Sequence, residues 1–387
     1  MTIDRPTPTA RIQEAFSVHP AVALTGPRQC GKTTLARMMA AEAGQVAYFD
    51  LERAADRRRL ASPEVSLGGL GGLVVIDEIQ HSPALFETVR VLVDRPDNAT
   101  RFLLLGSASP TLVKGAAETL AGRVGLVDLA GFDLGEVDPA AWRTLWLRGG
   151  FPRSYLARET RGSALWRRNF LRTFLERDLP RLGITVPAER LRRFWTMIAH
   201  YHGQIWNAAE FARSLGTSEG TARNYLDLLA GAFMVRALPP WFENVRKRQV
   251  KSPRLYLRDS GILHTLLGLP DAAALSGHPK VGASFEGFAI EQLLAAFDTR
   301  DAYFWATHGG AELDLFIRHY GRRYGFEFKF ADAPGSTRSM RVALQDLRLD
   351  HLWVVYPGEE PYDIDDTISV VPVTECYALA ESLRERS

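Results

Sequence analysis

The sequence predicts an α/β chain in three parts: a parallel sheet flanked by helices, a helical block, and a smaller α/β domain. Three observations predict it. Short apolar runs near 21–25, 46–50, 73–77, 101–106 and 124–128 alternate with helical stretches, the pattern of a parallel sheet covered on both faces. Helical periodicity then dominates 156–270, and alternating strands return within 276–387. The 387 residues accordingly divide into 1–155, 156–270 and 276–387, and a 46% hydrophobic composition is ample for several cores.

The first apolar run, Ala21-Val22-Ala23-Leu24, leads into Gly26-Pro27-Arg28-Gln29-Cys30-Gly31-Lys32-Thr33, and helical Leu35-Ala36-Arg37-Met38-Met39 follows Thr34. Strand, G-x-x-x-x-G-K-T and helix in that order define the phosphate loop of a P-loop NTPase parallel sheet. Gly26 and Gly31 let the backbone curl so that its N–H groups face a phosphate, and the helix N-terminus adds its dipole. Residues 26–34 therefore read as the cradle for ATP, with Lys32 reaching the β- and γ-phosphates and the Thr33 hydroxyl holding Mg²⁺. Cys30 lies among positive groups, which suits either an oxidation-sensitive thiol or a bystander in a tolerant position.

The run Gly71-Gly72-Leu73-Val74-Val75-Ile76-Asp77-Glu78 reads as a strand buried on both faces that ends in two carboxylates. At that strand end Asp77 is expected to hold Mg²⁺ and Glu78 to polarise the attacking water. The run Arg101-Phe102-Leu103-Leu104-Leu105 emerges at Gly106-Ser107, where Ser107 is placed to sense the γ-phosphate or orient water. Just before the fifth strand, Leu120-Ala121-Gly122-Arg123 offers a candidate arginine finger acting on a neighbour's γ-phosphate. That role requires a homo-oligomer, a hexameric ring being one arrangement; a surface or structural arginine fits Arg123 as well. Gly149-Gly150-Phe151-Pro152 breaks the pattern and closes this first part.

In the middle part, 166–182 carries Phe170, Phe174 and Arg177 at helical spacing. Residues 208–216 read as a short helix closed by Gly216, and Ser218 caps a second helix over 219–230. Helix, Gly-containing turn and capped helix form a helix-turn-helix, and 233–238 with 253–257 would add the strands of a wing. In that helical/winged-helix domain Ser218, Thr221, Arg223 and Asn224 begin the recognition helix, while Arg246, Lys247, Arg248 and Lys251 would meet phosphates. A winged-helix module touching only protein has the same pattern.

The third part opens with an amphipathic helix, Phe285-Glu286-Gly287-Phe288-Ala289-Ile290-Glu291-Gln292-Leu293-Leu294. Ala311-Glu312-Leu313-Asp314-Leu315-Phe316-Ile317 alternates as a strand, and 322–330 reads as its hairpin partner with Glu327-Phe328-Lys329. Alternation sets Glu327 and Lys329 on one face, where Asp314 of the neighbouring strand meets them. Two carboxylates sharing a divalent metal beside a lysine suit phosphodiester cleavage, and Glu286 would complete the metal shell from the helix.

The order of these parts resembles a prokaryotic family of AAA-like P-loop ATPases that carry a C-terminal DUF4143-type domain. The strings that bear the resemblance include Gly-Pro-Arg-Gln-Cys-Gly-Lys-Thr, Val-Ile-Asp-Glu-Ile-Gln, Leu-Leu-Gly-Ser-Ala-Ser and Leu-Ala-Gly-Arg-Val. Gly-Gly-Phe-Pro, Tyr256-Leu257-Arg258-Asp259-Ser260-Gly261, Phe285-Glu286 and Glu327-Phe328-Lys329 extend it over nearly the whole chain, with Ser260 where related chains often have threonine. The family's last domain is similar to PD-(D/E)XK nucleases. The resemblance thus implies an α/β nuclease-like C-terminal domain with catalytic Asp314, Glu327 and Lys329.

Charge narrows the partners. The net charge is +2, yet 158–258 holds 19 Lys and Arg against 8 Asp and Glu, a local surplus of 11. The remainder holds 28 basic and 37 acidic residues. Such segregation suits a middle domain touching DNA, although arginine-rich helices are also solvated faces. There is no run of 18 apolar residues, so no membrane span is expected, and two cysteines fit a reducing cytoplasm. Two functions follow: an ATPase acting on DNA, as a motor or a nucleotide-gated nuclease, or an ATP-dependent switch acting through protein partners.

Overall fold

The computed structural model describes residues 3–96, 98–106, 118–181, 186–243 and 249–385. Internal contacts divide it into two compact units, Met1–Phe132 with Gly231–Phe233, and Asp133–Ala230 with Met234–Ser387.

The first unit is built on five strands: β1 (Ala21–Thr25), β2 (Val46–Asp50), β3 (Gly72–Asp77), β4 (Thr100–Leu105) and β5 (Val124–Asp128). They lie in the order β2-β3-β4-β1-β5, and every neighbouring pair is parallel. All five residues of β1 are buried, which is why that strand reads as an uninterrupted apolar run. Phe102 and Leu104 of β4, Val74 and Ile76 of β3, and Phe86, Val89 and Leu92 of the helix Leu85–Val93 pack into one core. Because the strands are parallel, the residues following β1, β3 and β4 emerge on the same edge. The parallel NTPase sheet expected from the sequence is present.

In the second unit the helix Thr160–Thr173 begins six residues earlier than its apolar spacing suggests and continues through a π turn, Phe174–Asp178. Ser163 explains the early start: its hydroxyl is buried and hydrogen-bonded to Ser154 and Arg167, so a polar residue extends the packed face. Phe151, Phe170, Phe174 and Trp195 form a continuous aromatic row with centroid separations of 4.8, 5.9 and 5.3 Å. The helices Ala208–Leu215 and Glu219–Gly231 follow, the first ended by Gly216 at φ 62°. A small sheet joins β6 (Gln204–Ile205), β7 (Val235–Leu238) and β8 (Arg254–Leu257) in the order β6-β8-β7.

A six-stranded mixed sheet completes this unit: β9 (Ala302–Ala306), β10 (Glu312–His319), β11 (Arg322–Phe328), β12 (His351–Tyr356), β13 (Tyr362–Asp365) and β14 (Ile368–Pro372). The order is β13-β14-β12-β11-β10-β9; β9, β10 and β11 are antiparallel, while β11, β12 and β14 run parallel. The helix Val281–Phe297 is buried on nearly all sides, not amphipathic as its sequence suggested. A Cβ on Gly287 would stand 2.3 Å from His202 Nε2, so only glycine permits this helix to lie so close. Its Glu291 is clamped by Arg236, with Nη2 at 2.9 Å from Oε2, and by Arg258 at 3.2 Å. Burial alone would raise the Glu291 pKa, but the two arginines outweigh it and hold it at about 2. Among the described residues no helix is long and apolar enough to cross a membrane.

Candidate functional site

The phosphate loop leaves β1 and turns sharply before the helix Lys32–Glu42. Gly26 adopts φ 155°, and any side chain there would lie 2.1 Å from the Leu129 carbonyl oxygen. Gln29 and Gly31 are left-handed, at φ 66° and 103°. Lys32 is buried and donates to the carbonyls of Gly26 at 2.9 Å and Pro27 at 2.8 Å, so its ammonium sits inside the curl of the loop. Cys30 is fully buried with Sγ 3.9 Å from Lys32 Nζ. Arg28 is half-buried, Gln29 is exposed, and Thr34 is exposed on the first helical turn.

Arg5 was missed by reading the sequence. Its guanidinium is buried and donates to the carbonyl of Cys30 at 3.1 Å and to those of Ala130 and Gly131 at 3.3 and 3.1 Å. It ties the phosphate loop to the segment after β5. Its partners are main-chain oxygens, which no motif encodes.

Asp77 and Thr33 meet. Thr33 Oγ1 donates to Asp77 Oδ2 at 2.8 Å, and Tyr48 donates its hydroxyl to the same oxygen at 2.8 Å. Burial, and then Asp77 itself, push the Tyr48 pKa far above that of an ordinary phenol, so this hydroxyl stays a donor. Glu78 follows with left-handed backbone, φ 56°. Its carboxylate accepts from the Gln80 amide and has Arg28 Nη2 at 3.9 Å, so a residue of the phosphate loop touches the predicted water-orienting group. Ser107, expected beside them, lies outside the described residues.

Arg123 stands elsewhere. It precedes β5, whose Val124 pairs with Ala21 and whose Asp128 pairs with Thr25. It is therefore at the amino end of the strands, whereas the phosphate loop leaves the carboxyl end, about 16 Å away along β1 at the usual rise. There it pairs with Asp94 at 2.6 Å. Arg123 does not reach the phosphate loop of its own sheet.

In the second unit Ser218 caps the helix Glu219–Gly231, accepting from the Thr221 N–H at 3.1 Å. The exposed face of that helix presents Glu219, Arg223, Asn224 and Asp227, and Arg223 pairs with Glu219 at 3.3 Å. Two acids against one base make a poor surface for phosphates. Lys251 is exposed; Arg246, Lys247 and Arg248 lie outside the described residues. Part of the basic surplus is displayed instead on the helix Thr160–Thr173, where Arg161, Arg168 and Arg172 are exposed at spacings of seven and four, one helical face.

The acidic residues of the third part do come together. Leu315 of β10 pairs with Phe326 of β11, which sets Asp314 beside Glu327. Asp314 Oδ2 accepts from the Phe328 N–H at 3.3 Å, and Lys329 Nζ donates to Glu327 Oε2 at 2.9 Å. At their centre is a residue that reading the sequence passed over. Arg254 of β8 donates to Asp314 Oδ1 at 2.9 Å and Glu312 Oε2 at 2.7 Å, with Glu286 Oε1 at 3.5 Å. Tyr256, two residues on, donates its hydroxyl to Glu286. Burial and the neighbouring Asp314 push both Glu286 and Glu327 up to about 8. The one available signal was a cation in the otherwise apolar run Arg254-Leu255-Tyr256-Leu257.

Comparison with known proteins accords with this architecture. A family model described as an AAA domain matches residues 18–137, and models of two domains of unknown function, DUF8612 and DUF4143, match 139–273 and 281–376. The proteins Rv2008c of Mycobacterium tuberculosis and Mb2031c of Mycobacterium bovis are each 52% identical over 375 residues, covering 97% of this chain and 85% of theirs. The chain belongs to their family, AAA-type P-loop ATPase proteins with a C-terminal DUF4143 domain. Among solved structures, a Walker-type ATPase of Pyrococcus abyssi is 15% identical with a TM-score of 0.47, over 69% of this chain and 96% of that one. The clamp loader delta protein of Bacillus subtilis is 12% identical with a TM-score of 0.29, over 58% and 88%.

Proposed function

We propose that the chain is a Mg²⁺-dependent ATPase whose nucleotide cycle acts on DNA. The observation that carries the ATPase reading is the 2.8 Å contact between Thr33 and Asp77 behind a complete phosphate loop. Magnesium keeps most of its waters and needs only one or two protein oxygens beside those of the phosphates. A hydroxyl and a carboxylate already adjacent at a helix N-terminus fit that demand, so Thr33 and Asp77 would hold the ion. When bound, it offsets charge on the β- and γ-phosphates. The N–H groups of 26–34 bind the phosphates, Lys32 swings from its own loop carbonyls to the β,γ-oxygens, and Glu78 orients water. Arg28 and Gln80 hold Glu78 in place until then.

The arginine face of the helix Thr160–Thr173 supports DNA as the partner, with the capped helix Glu219–Gly231 in a lesser role. Three arginines on one face match a row of phosphates and would give a binding constant that falls steeply with salt. The protein-partner reading draws on one observation of its own: Leu165, within that face, is 51% exposed. Cleavage of the bound DNA does not follow, because Arg254 occupies the carboxylates that a metal would need.

ATP turnover measured with and without single-stranded, duplex and branched DNA, at rising salt, tests the proposal. Stimulation by one form, with Arg168→Glu and Arg172→Glu together lowering DNA affinity and reducing the salt slope by about 2, is the expected result. Turnover indifferent to every form, with no binding at low salt, would favour the protein-partner switch.

A further inference from the structure

The carboxylates Glu286, Asp314 and Glu327, with Lys329, have the residue types of a metal-dependent nuclease centre, and they are assembled. What they assemble around is a guanidinium. Arg254 contacts Asp314 Oδ1, Glu312 Oε2 and Glu286 Oε1 at 2.9, 2.7 and 3.5 Å. Its side chain is only 6% exposed.

It is also fixed from behind. β8 is the central strand of its sheet, and Arg254 is paired on both sides, with Ile205 of β6 and Leu238 of β7. The guanidinium lies over the Phe304 ring at 5.0 Å, which closes a further face. Backbone pairing and ring contact together leave Arg254 little room to withdraw.

With no phosphate bound, a divalent cation held here would need oxygens from more than one of these carboxylates within about 2.0–2.6 Å. Asp314 Oδ1 is engaged by Arg254 and Oδ2 by the Phe328 N–H; Glu286 Oε1 is engaged by Tyr256 and Arg254; Glu327 Oε2 is engaged by Lys329. Glu327 Oε1, buried without a partner, and Glu286 Oε2 lie outside these contacts, while both oxygens of Asp314 are taken. Among the described residues no group of three or more His, Cys, Asp and Glu is arranged to hold a metal.

We propose that Arg254 is a built-in counter-ion that takes the place of a divalent metal, so the C-terminal cluster binds none while this arginine is present. Two features of the cluster fit. Each of its acids has a cation of the chain against it, Arg254 on Glu286, Glu312 and Asp314, and Lys329 on Glu327. The domain thereby keeps the shape of a nuclease centre while its carboxylates serve to join β8 to β10 and the helix Val281–Phe297.

The test is Mn²⁺ binding, followed by the loss of the free-ion paramagnetic resonance signal. It uses the full chain without nucleotide, carrying Asp77→Asn so that the phosphate-loop region contributes no Mn²⁺ and the outcome is separate from the ATPase reading. With Arg254 present, no Mn²⁺ should bind. Arg254→Met should gain a single Mn²⁺ per chain, and adding Asp314→Asn should remove it again. Arg254→Gln, which keeps hydrogen-bond donors without the charge, stands in if circular dichroism shows the Met variant unfolded. Mn²⁺ bound in the presence of Arg254 and lost in Asp314→Asn would overturn the proposal. So would a folded Arg254 variant that gains none.

Discussion

Arg5 and Glu291 show how single side chains hold each unit in its working shape. Arg5 satisfies main-chain carbonyls of the phosphate loop and of the segment after β5, and Arg5→Ala strands those oxygens in a buried place. An unsatisfied buried group costs about 1–3 kcal/mol, so nucleotide affinity should fall roughly tenfold as the loop loosens. Titration with a fluorescent ATP analogue checks this; unchanged affinity would mean that Gly26 and the β1 register hold the loop unaided. Glu291 has its pKa lowered to about 2 by Arg236 and Arg258. Its contribution to stability is complete above the ordinary glutamate range and is lost as pH falls through that range toward about 2. Glu291→Gln should cost about 3 kcal/mol near neutrality and flatten that acid limb, measured by denaturant unfolding between about pH 2 and 6. Equal acid sensitivity in both proteins would assign the limb to other carboxylates.

At the scale of elements, the legible features were those whose chemistry lies along one strand or one turn. Five apolar runs became β1–β5; the inner strands β3, β4 and β1 have buried middles that leave no place for polar residues, while the edge strands β2 and β5 are partly exposed. The position of Asp77 was legible from the apolar run before it, and at the end of β3 it meets Thr33. The β10–β11 hairpin was legible from alternation, and its register brings Asp314 to Glu327 as expected. Arg254 was not, because its partner Asp314 is 60 residues away and only the packing of one sheet against another joins them. The start of the helix Thr160–Thr173 was hidden for a related reason: Ser163 is buried through hydrogen bonds, which hydrophobic periodicity does not register.

For the molecule as a whole, Arg123 sets the most specific demand. It stands at the end of the sheet opposite its own phosphate loop and pairs with Asp94. If it acts as a finger it does so on another subunit, where such an arginine is worth about 10³–10⁵ in turnover. Arg123→Ala and Lys32→Ala proteins should then each be inactive, while a mixture regains turnover. No recovery, or a fully active Arg123→Ala protein, would return Arg123 to a structural role.

Glu78→Gln bears hardest on the proposal that this chain hydrolyses ATP through the groups gathered behind its phosphate loop. Binding of ATP and its turnover in Mg²⁺ would be measured on the same preparation. The expected result is ATP bound as tightly as by the unaltered chain, with hydrolysis reduced to background. Normal turnover in Glu78→Gln would overturn that assignment and move the water-orienting group elsewhere.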